Sequence, residues 1–227
     1  MQTEVSTETI LLLVKFRILG ALRYLSHAER VTMFQRCFVR AGIEIKYSEG
    51  FNPRQKLSLP LPGSVGVESD GDLACIHIYS GKENVDLERI GRQISNQMPQ
   101  GCEVIDIEIC AGTKSPIAEQ VSYIFDLKTG IIHQIVDIRA KASEFLAKDS
   151  LVVKRFKDES SVKEVDIRKY LENIEFTEGG RVKVVCKITT EGSVRVDEVM
   201  EVLGLDFNML KSPVRRTDIK WSYLRKT

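Results

Sequence analysis

The chain has 227 residues, and its 33 Lys or Arg against 32 Asp or Glu leave a formal net charge of +1, which excludes a uniformly basic nucleic-acid binder. Its 43% hydrophobic content is enough for one large core or two small ones, yet no apolar run approaches the ~18 residues of a membrane helix. The polar, acidic residues 1–10 lack the basic and apolar regions of a signal peptide, so the expected compartment is the cytoplasm, with no membrane partner.

In chain order, residues 9–19 are aliphatic and β-branched. They begin to alternate at Leu13, with Leu13, Lys15 and Arg17 opposite Val14, Phe16 and Ile18. That pattern predicts a strand with one buried and one basic face. Ser26-His27-Ala28-Glu29 reads as a capping box, in which the Ser hydroxyl takes the Glu amide and the Glu side chain returns to the Ser amide. The helix that follows should bury Val31, Phe34, Cys37, Phe38 and Ala41 and stop at Gly42. A short strand, 43–46, precedes a loop at 47–63 that is rich in Pro and Gly, with an extended stretch at 57–61. Connections of that length are uncommon and are often functional.

Strands are expected at 72–79 and 102–110, around a helix at 86–97 capped by Asp86. His77, on the first of these strands, reads as a sheet residue. Residues 113–119 form the expected linker. Beyond it the pattern predicts strand 120–127, helix 133–147, strand 151–156, a short helix capped by Asp166, strand 181–189, helix 195–203 and a final strand at 214–221. The expected architecture is α+β: two tandem ferredoxin-like (split βαβ) halves with antiparallel sheets. One half, 9–112, carries a basic loop; the other, 120–227, carries a basic tail.

Charge is unevenly distributed. Residues 15–56 hold nine Lys or Arg against three Glu, and residues 210–227 hold six against Asp218 alone. If these segments form a basic face, phosphate contacts are expected from Arg17, Arg23, Arg54, Lys56, Arg215 and Arg216. Tyr47 and Phe51, with Asn52 beside them, suit unpaired bases. His27, at a helix start, could serve as general acid or base, with Tyr47 or Tyr24 and Lys56 or Lys46 as companions in a metal-independent RNA cleavage. A packed helix histidine, an anchored connector loop and solvated tail charges explain the same residues without chemistry. Five scattered cysteines, Cys37, Cys75, Cys102, Cys110 and Cys186, make no Cys-x-x-Cys and read as buried free thiols, with no metal or cofactor expected. There is no phosphate-binding Gly-Lys-Ser/Thr loop, no Gly-x-Gly-x-x-Gly, no His-Glu-x-x-His and no Gly-x-Ser-x-Gly.

The run Phe16-Arg17-x-x-Gly20-x-x-Arg23-Tyr24-Leu25-Ser26-His27, followed by Arg40-Ala41-Gly42 and Tyr47-Ser48-Glu49-Gly50-Phe51-Asn52-Pro53, resembles the bacterial radical SAM-linked proteins, a family of unknown function. Val165-Asp166-Ile167-Arg168 and Arg215-Arg216-Thr217 extend the likeness over most of the chain. Ala28-Glu29 and Arg54-Gln55 depart from that family's pattern. The resemblance implies a cytosolic radical SAM partner that holds the iron–sulfur cluster, because this chain has no Cys-x-x-x-Cys-x-x-Cys, and it implies no activity. The element order is also similar to that of CRISPR repeat-processing ribonucleases. The expected function is therefore an RNA-binding accessory protein that presents a tRNA or rRNA to a radical SAM enzyme. The alternatives are an RNA endonuclease using His27 and a protein-interaction subunit.

Overall fold

The structure is a computed structural model and describes residues 8–80, 85–112, 114–156, 162–177 and 179–223. Thr113 of the expected linker and the tail cations Arg225 and Lys226 lie outside the described residues. The fold is mixed α+β with mostly antiparallel strands and, among the described residues, four α-helices. Two compact units divide it, residues 1–117 with 221–227 and residues 118–220. No helix among the described residues is long and apolar enough to cross a membrane.

In the first unit, strand β1 (Glu8–Ile18) is central, antiparallel to β3 (Glu68–Ser80) on one side and β4 (Cys102–Cys110) on the other. The two-residue β2 (Leu57–Ser58) pairs with the outer edge of β3, so the order is β2-β3-β1-β4. Helices α1 (His27–Arg40) and α2 (Leu87–Ser95) connect these strands and share one core with them. Leu12, Val14, Phe16 and Ile18 of β1 enter that core with Phe34 and Phe38 of α1 and Ile90 and Ile94 of α2. The Phe16 and Phe34 rings tilt together with centroids 4.5 Å apart, within the usual range for aromatic pairs.

The expected basic face of β1 is corrected. Its other side begins with Leu11 and Leu13, buried with Leu73 and Cys75 against the partly buried Cys110 and Trp221. Only Lys15 and Arg17, further along, are charged. Strand β3 begins at Glu68, earlier than its composition suggests, because its acidic start is satisfied internally. The Glu68 carboxylate accepts the Gly20 amide at 3.0 Å, and Asp70 accepts from Arg17 at 2.6 Å.

In the second unit, β5 (Ile117–Asp126) lies between β9 (Arg181–Thr189) and β11 (Arg215–Ser222). The β5–β9 register pairs Val121 with Cys186, Tyr123 with Val184 and Phe125 with Val182, all buried. The far edge of β9 carries β8 (Leu171–Thr177) and then the short β10 (Gly192–Ser193). Helix α3 (Ile135–Ala147) follows β5 and helix α4 (Val196–Leu203) precedes β11. Strands β6 (Val152–Phe156) and β7 (Val162–Asp166) form a separate hairpin between α3 and β8. Arg155 moors this hairpin: it donates to both Glu198 carboxylate oxygens, at 2.6 and 2.8 Å, and to the Ser193 carbonyl at 2.7 Å.

The short helix expected after Asp166 is a 3-10 turn, Arg168–Tyr170, running straight into β8. Ile167, Tyr170 and Leu171 are all buried at spacings of three and four, which mimics a helical stripe, while Ile174 and Phe176 beyond them alternate as a strand does. Asp166 does cap, but it caps the turn, accepting the Leu151 and Arg168 amides at 2.8 and 3.0 Å.

Gly101 before β4 has φ +93°, and a Cβ there would lie 2.7 Å from the Leu19 carbonyl oxygen. Backbone strain and this clash act together, so Gly101→Ala should lower unfolding free energy by about 1–4 kcal/mol. Urea unfolding would read this as a lower midpoint at unchanged slope.

Candidate nucleic-acid interface

The most distinctive surface feature of the first unit is a narrow hairpin, residues 46–56, built on the outer edge of β3. Three backbones meet at its base. The Lys46 amide donates to the His77 carbonyl at 2.8 Å, the His77 amide to the Lys56 carbonyl at 3.0 Å, and the Lys56 amide to the Lys46 carbonyl at 2.8 Å. This closed ring of hydrogen bonds fixes three basic residues from distant parts of the chain beside one another. Ile45, Leu57, Ile76 and Ile78 turn into the core, so the alternating positions Lys46, Lys56 and His77 turn to the opposite face.

Above the ring, Tyr47 pairs with Gln55, and the Ser48 amide donates to the Arg54 carbonyl at 2.7 Å. The Ser48 hydroxyl takes the Arg54 amide at 2.9 Å. The tip turns through Gly50, φ +120°, a conformation that favours glycine. At that tip Phe51 is wholly exposed, at 106% of its reference area, and Asn52, Pro53 and Arg54 are exposed beside it. The helix-facing side of the hairpin rests on α1, where Gln55 Nε2 reaches the Tyr47 hydroxyl at 3.4 Å and the Gln35 carbonyl at 3.5 Å. Arg36 and Val39 of α1 are exposed beside Gln35 and Gln55. Lys46, Arg54, Lys56 and Arg36 make no ion pair among the described residues.

Burial, then the charges of Lys56 and Lys46, hold the His77 imidazole below its ordinary value of 6.5. The cluster therefore carries an excess of positive charge that its own histidine resists joining.

The other sequence-predicted residues fare differently. Arg17 sits opposite Asp70 of β3 and Glu103 of β4 and bonds both, at 2.6 and 3.1 Å, with its pKa raised chiefly by the Asp70 hydrogen bond. Its charge is spent across the strands. Arg23 lies over the Tyr24 ring, 4.4 Å from its centroid, and donates to the Gly20 carbonyl. Arg216 is 2% exposed, a correction to its expected place on the surface; in β11 it alternates with exposed Arg215. Arg215 belongs to the second unit, where its charge helps hold Asp126 low, after the larger effect of the Arg181 hydrogen bond.

His27 is exposed at the first turn of α1, and the capping box behind it is complete: the Glu29 side chain accepts the Ser26 amide at 2.8 Å and the Ser26 hydroxyl accepts the Glu29 amide at 3.3 Å. The anion at that helix start is thus the chain's own carboxylate. Gln35, against which the hairpin packs, is two helical turns on, about 12 Å along the axis from His27. Tyr47 and Lys56 both belong to the hairpin but turn to opposite faces of it, Tyr47 with Gln55 toward α1 and Lys56 with Lys46 away from it, so the structure groups neither with the other nor with His27.

Cys37, Cys75, Cys102 and Cys186 are buried and Cys110 is partly so. Burial pushes the Cys75 thiol up to about 11 and those of Cys102 and Cys186 to about 12, far from reactive thiolate chemistry. Among the described residues no group of three or more His, Cys, Asp or Glu side chains is gathered as a metal site would require.

The model of a bacterial family described as an uncharacterized protein conserved in bacteria (DUF2344) matches residues 12–196. The chain belongs to this family. The match takes in most of β1, the hairpin and most of the second unit. A comparison with curated proteins found no match. Similar solved structures include an unknown protein from Galdieria sulphuraria, 10% identical over 95% of this chain and 99% of that one, with a TM-score of 0.27. The acetolactate synthase small subunit from Thermotoga maritima is 11% identical over 97% and 99%, with a TM-score of 0.24. A putative glycine cleavage system transcriptional repressor is 8% identical over 95% and 99%, also at 0.24.

The sequence places His77 as a sheet residue, as its position in β3 bears out, and offers Lys46 as the alternative to Lys56, while Arg36 is read only as lying on the outer side of its helix. The cue for His77 was available only as a register: a histidine on the non-core face of β3, at the edge where two lysines arrive. Because its folded-state pKa is depressed, the unfolded chain binds more protons, and stability is full above about pH 6.5 and lost as pH falls toward the folded value. Lys56→Gln should raise the His77 titration midpoint measured by NMR, and His77→Gln should flatten that part of the stability–pH curve.

Proposed function

We propose that this protein binds single-stranded RNA through the 46–56 hairpin, as an accessory that presents an RNA to a radical SAM partner enzyme. The observation that carries the reading is a wholly exposed Phe51 held above Lys46, Arg54 and Lys56, cations with no ion-pair partner among the described residues. A bare aromatic on a soluble surface costs solvation and gains by stacking on an unpaired base, while the cations follow the phosphates. Tyr47 offers a second ring, and Asn52 offers an amide to base edges. The partner enzyme rests on the motif running from Phe16 to His27 and from Tyr47 to Pro53, of which the second part is the hairpin itself.

The fold suits such a role. The orders β2-β3-β1-β4 and β8-β9-β5-β11, each threaded strand–helix–strand–strand–helix–strand, support reading both units as ferredoxin-like, with β6–β7 inserted in the second. An endonuclease centred on His27 is the weaker reading, since Tyr47 and Lys56 lie on opposite faces of the hairpin and the helix start at His27 holds its own carboxylate, Glu29.

Fluorescence anisotropy with a labelled single-stranded RNA tests the proposal. Phe51→Ala should weaken binding by about 5- to 150-fold, the equivalent of one lost stack. Lys56→Gln should reduce the log–log salt slope by ~0.7. Equal binding by Phe51→Ala, or affinity indifferent to salt, would overturn it, and a partner protein retained by the hairpin after ribonuclease treatment would reassign the surface to protein docking.

A further inference from the structure

The second unit contains a cavity of about 230 Å3, framed by residues 127–129 just past β5, by Ile135 and Arg139 of α3, by Phe176 and Thr177 of β8 and by residues 179–182. Its floor is apolar, formed by Leu127, Phe176 and Val182. Its rim is cationic, formed by Lys128, Arg139 and Arg181, and no carboxylate among the described residues lines it. Arg181 is compensated by Asp126 at 2.7 Å. Arg139 is not: its guanidinium is poised over the Phe176 ring, 4.8 Å from the centroid, and makes no ion pair among the described residues. Gly180 is held against the cavity wall by the Leu127 amide, which donates to its carbonyl at 2.8 Å, and its φ of +83° is a conformation that favours glycine.

From this lining we infer that the second unit binds a small organic anion with a single apolar ring, of the class of a monocyclic aromatic carboxylate. The size follows from volume: a cavity of about 150 Å3 accepts benzene, and the additional space here accommodates one anionic substituent. The sign follows from the rim, where an anion would meet Arg139 and Lys128. The orientation follows from Phe176: the ring that already holds Arg139 by its face presents the guanidinium edge for two parallel hydrogen bonds to a carboxylate. This inference concerns a different unit and stands independently of the RNA reading.

Amide NMR of the full chain, titrated separately with benzoate, benzamide and inorganic phosphate, tests it. Benzoate should shift the Gly179, Gly180 and Val182 amides saturably, with a Kd on the order of 1 mM for so few atoms. Benzamide, the neutral isostere, and phosphate, the anion without a ring, should each bind at least about tenfold more weakly. Arg139→Gln, a change at an exposed position, should bring benzoate down to the benzamide level, and Lys128→Gln should fall between. Absence of saturable shifts with benzoate, equal affinity for benzamide or phosphate, or an Arg139→Gln variant that binds benzoate as the parent does would each overturn the assignment.

Discussion

The surface chemistry of the first unit depends on the ring of three backbone hydrogen bonds among Lys46, Lys56 and His77. Like charges placed side by side repel, and nothing in their side chains would hold these residues together. Their main chains do so instead, because the edge of β3 needs its donors and acceptors met and the crossing of the two incoming segments meets them. The core fixes which way the side chains turn, since Ile45, Leu57 and Ile76 cannot leave it. Electrostatic crowding is therefore imposed by hydrogen-bond satisfaction and hydrophobic packing, each worth more than the repulsion between partly solvated cations.

The same reasoning separates cations that can act on a partner from cations that cannot. A count of Lys and Arg along residues 15–56 treats Arg17, Arg30 and Lys56 alike. Position in the fold does not. Arg17 is in a central strand with an acidic residue opposite it on either side, and Arg30 is 1% exposed beneath Gly63, where a Cβ would fall 1.8 Å from its Nη1. Lys56 is flanked on the edge of β3 by His77 and Lys46, neither of which brings a carboxylate, and it makes no ion pair among the described residues. An edge strand is where a sheet leaves charge uncompensated, and charged edges are also how sheets avoid unwanted pairing.

Much of the local structure was legible in the residues themselves. The capping box at Ser26 and Glu29 and the stripe Phe34, Cys37, Phe38 and Ala41 rest on contacts within a few positions, which sequence spacing reports directly. Strand β4 spans the residues expected, but a bulge at Ile105 breaks the alternation its sequence suggests. The failures have one cause. Ile167, Tyr170 and Leu171 are buried at helical spacing by a 3-10 turn that feeds a strand, and the acidic opening of β3 looks like a loop until Arg17 and the Gly20 amide are seen to satisfy it. Local pattern cannot report partners that arrive from far along the chain. For the candidate site, composition marked the 47–56 loop and its aromatics, but the involvement of His77 and the loss of Arg216 to the interior required the register of the sheets.

The β6–β7 hairpin carries a different implication. It forms its own two-stranded sheet and is moored to α4 through a single guanidinium. Apart from Arg155, which pairs with buried Glu198, and Asp166, which caps the turn into β8, its strand residues can be exchanged without displacing any strand neighbour in the sheet of the second unit. That position is a natural graft point for a reporter or affinity handle.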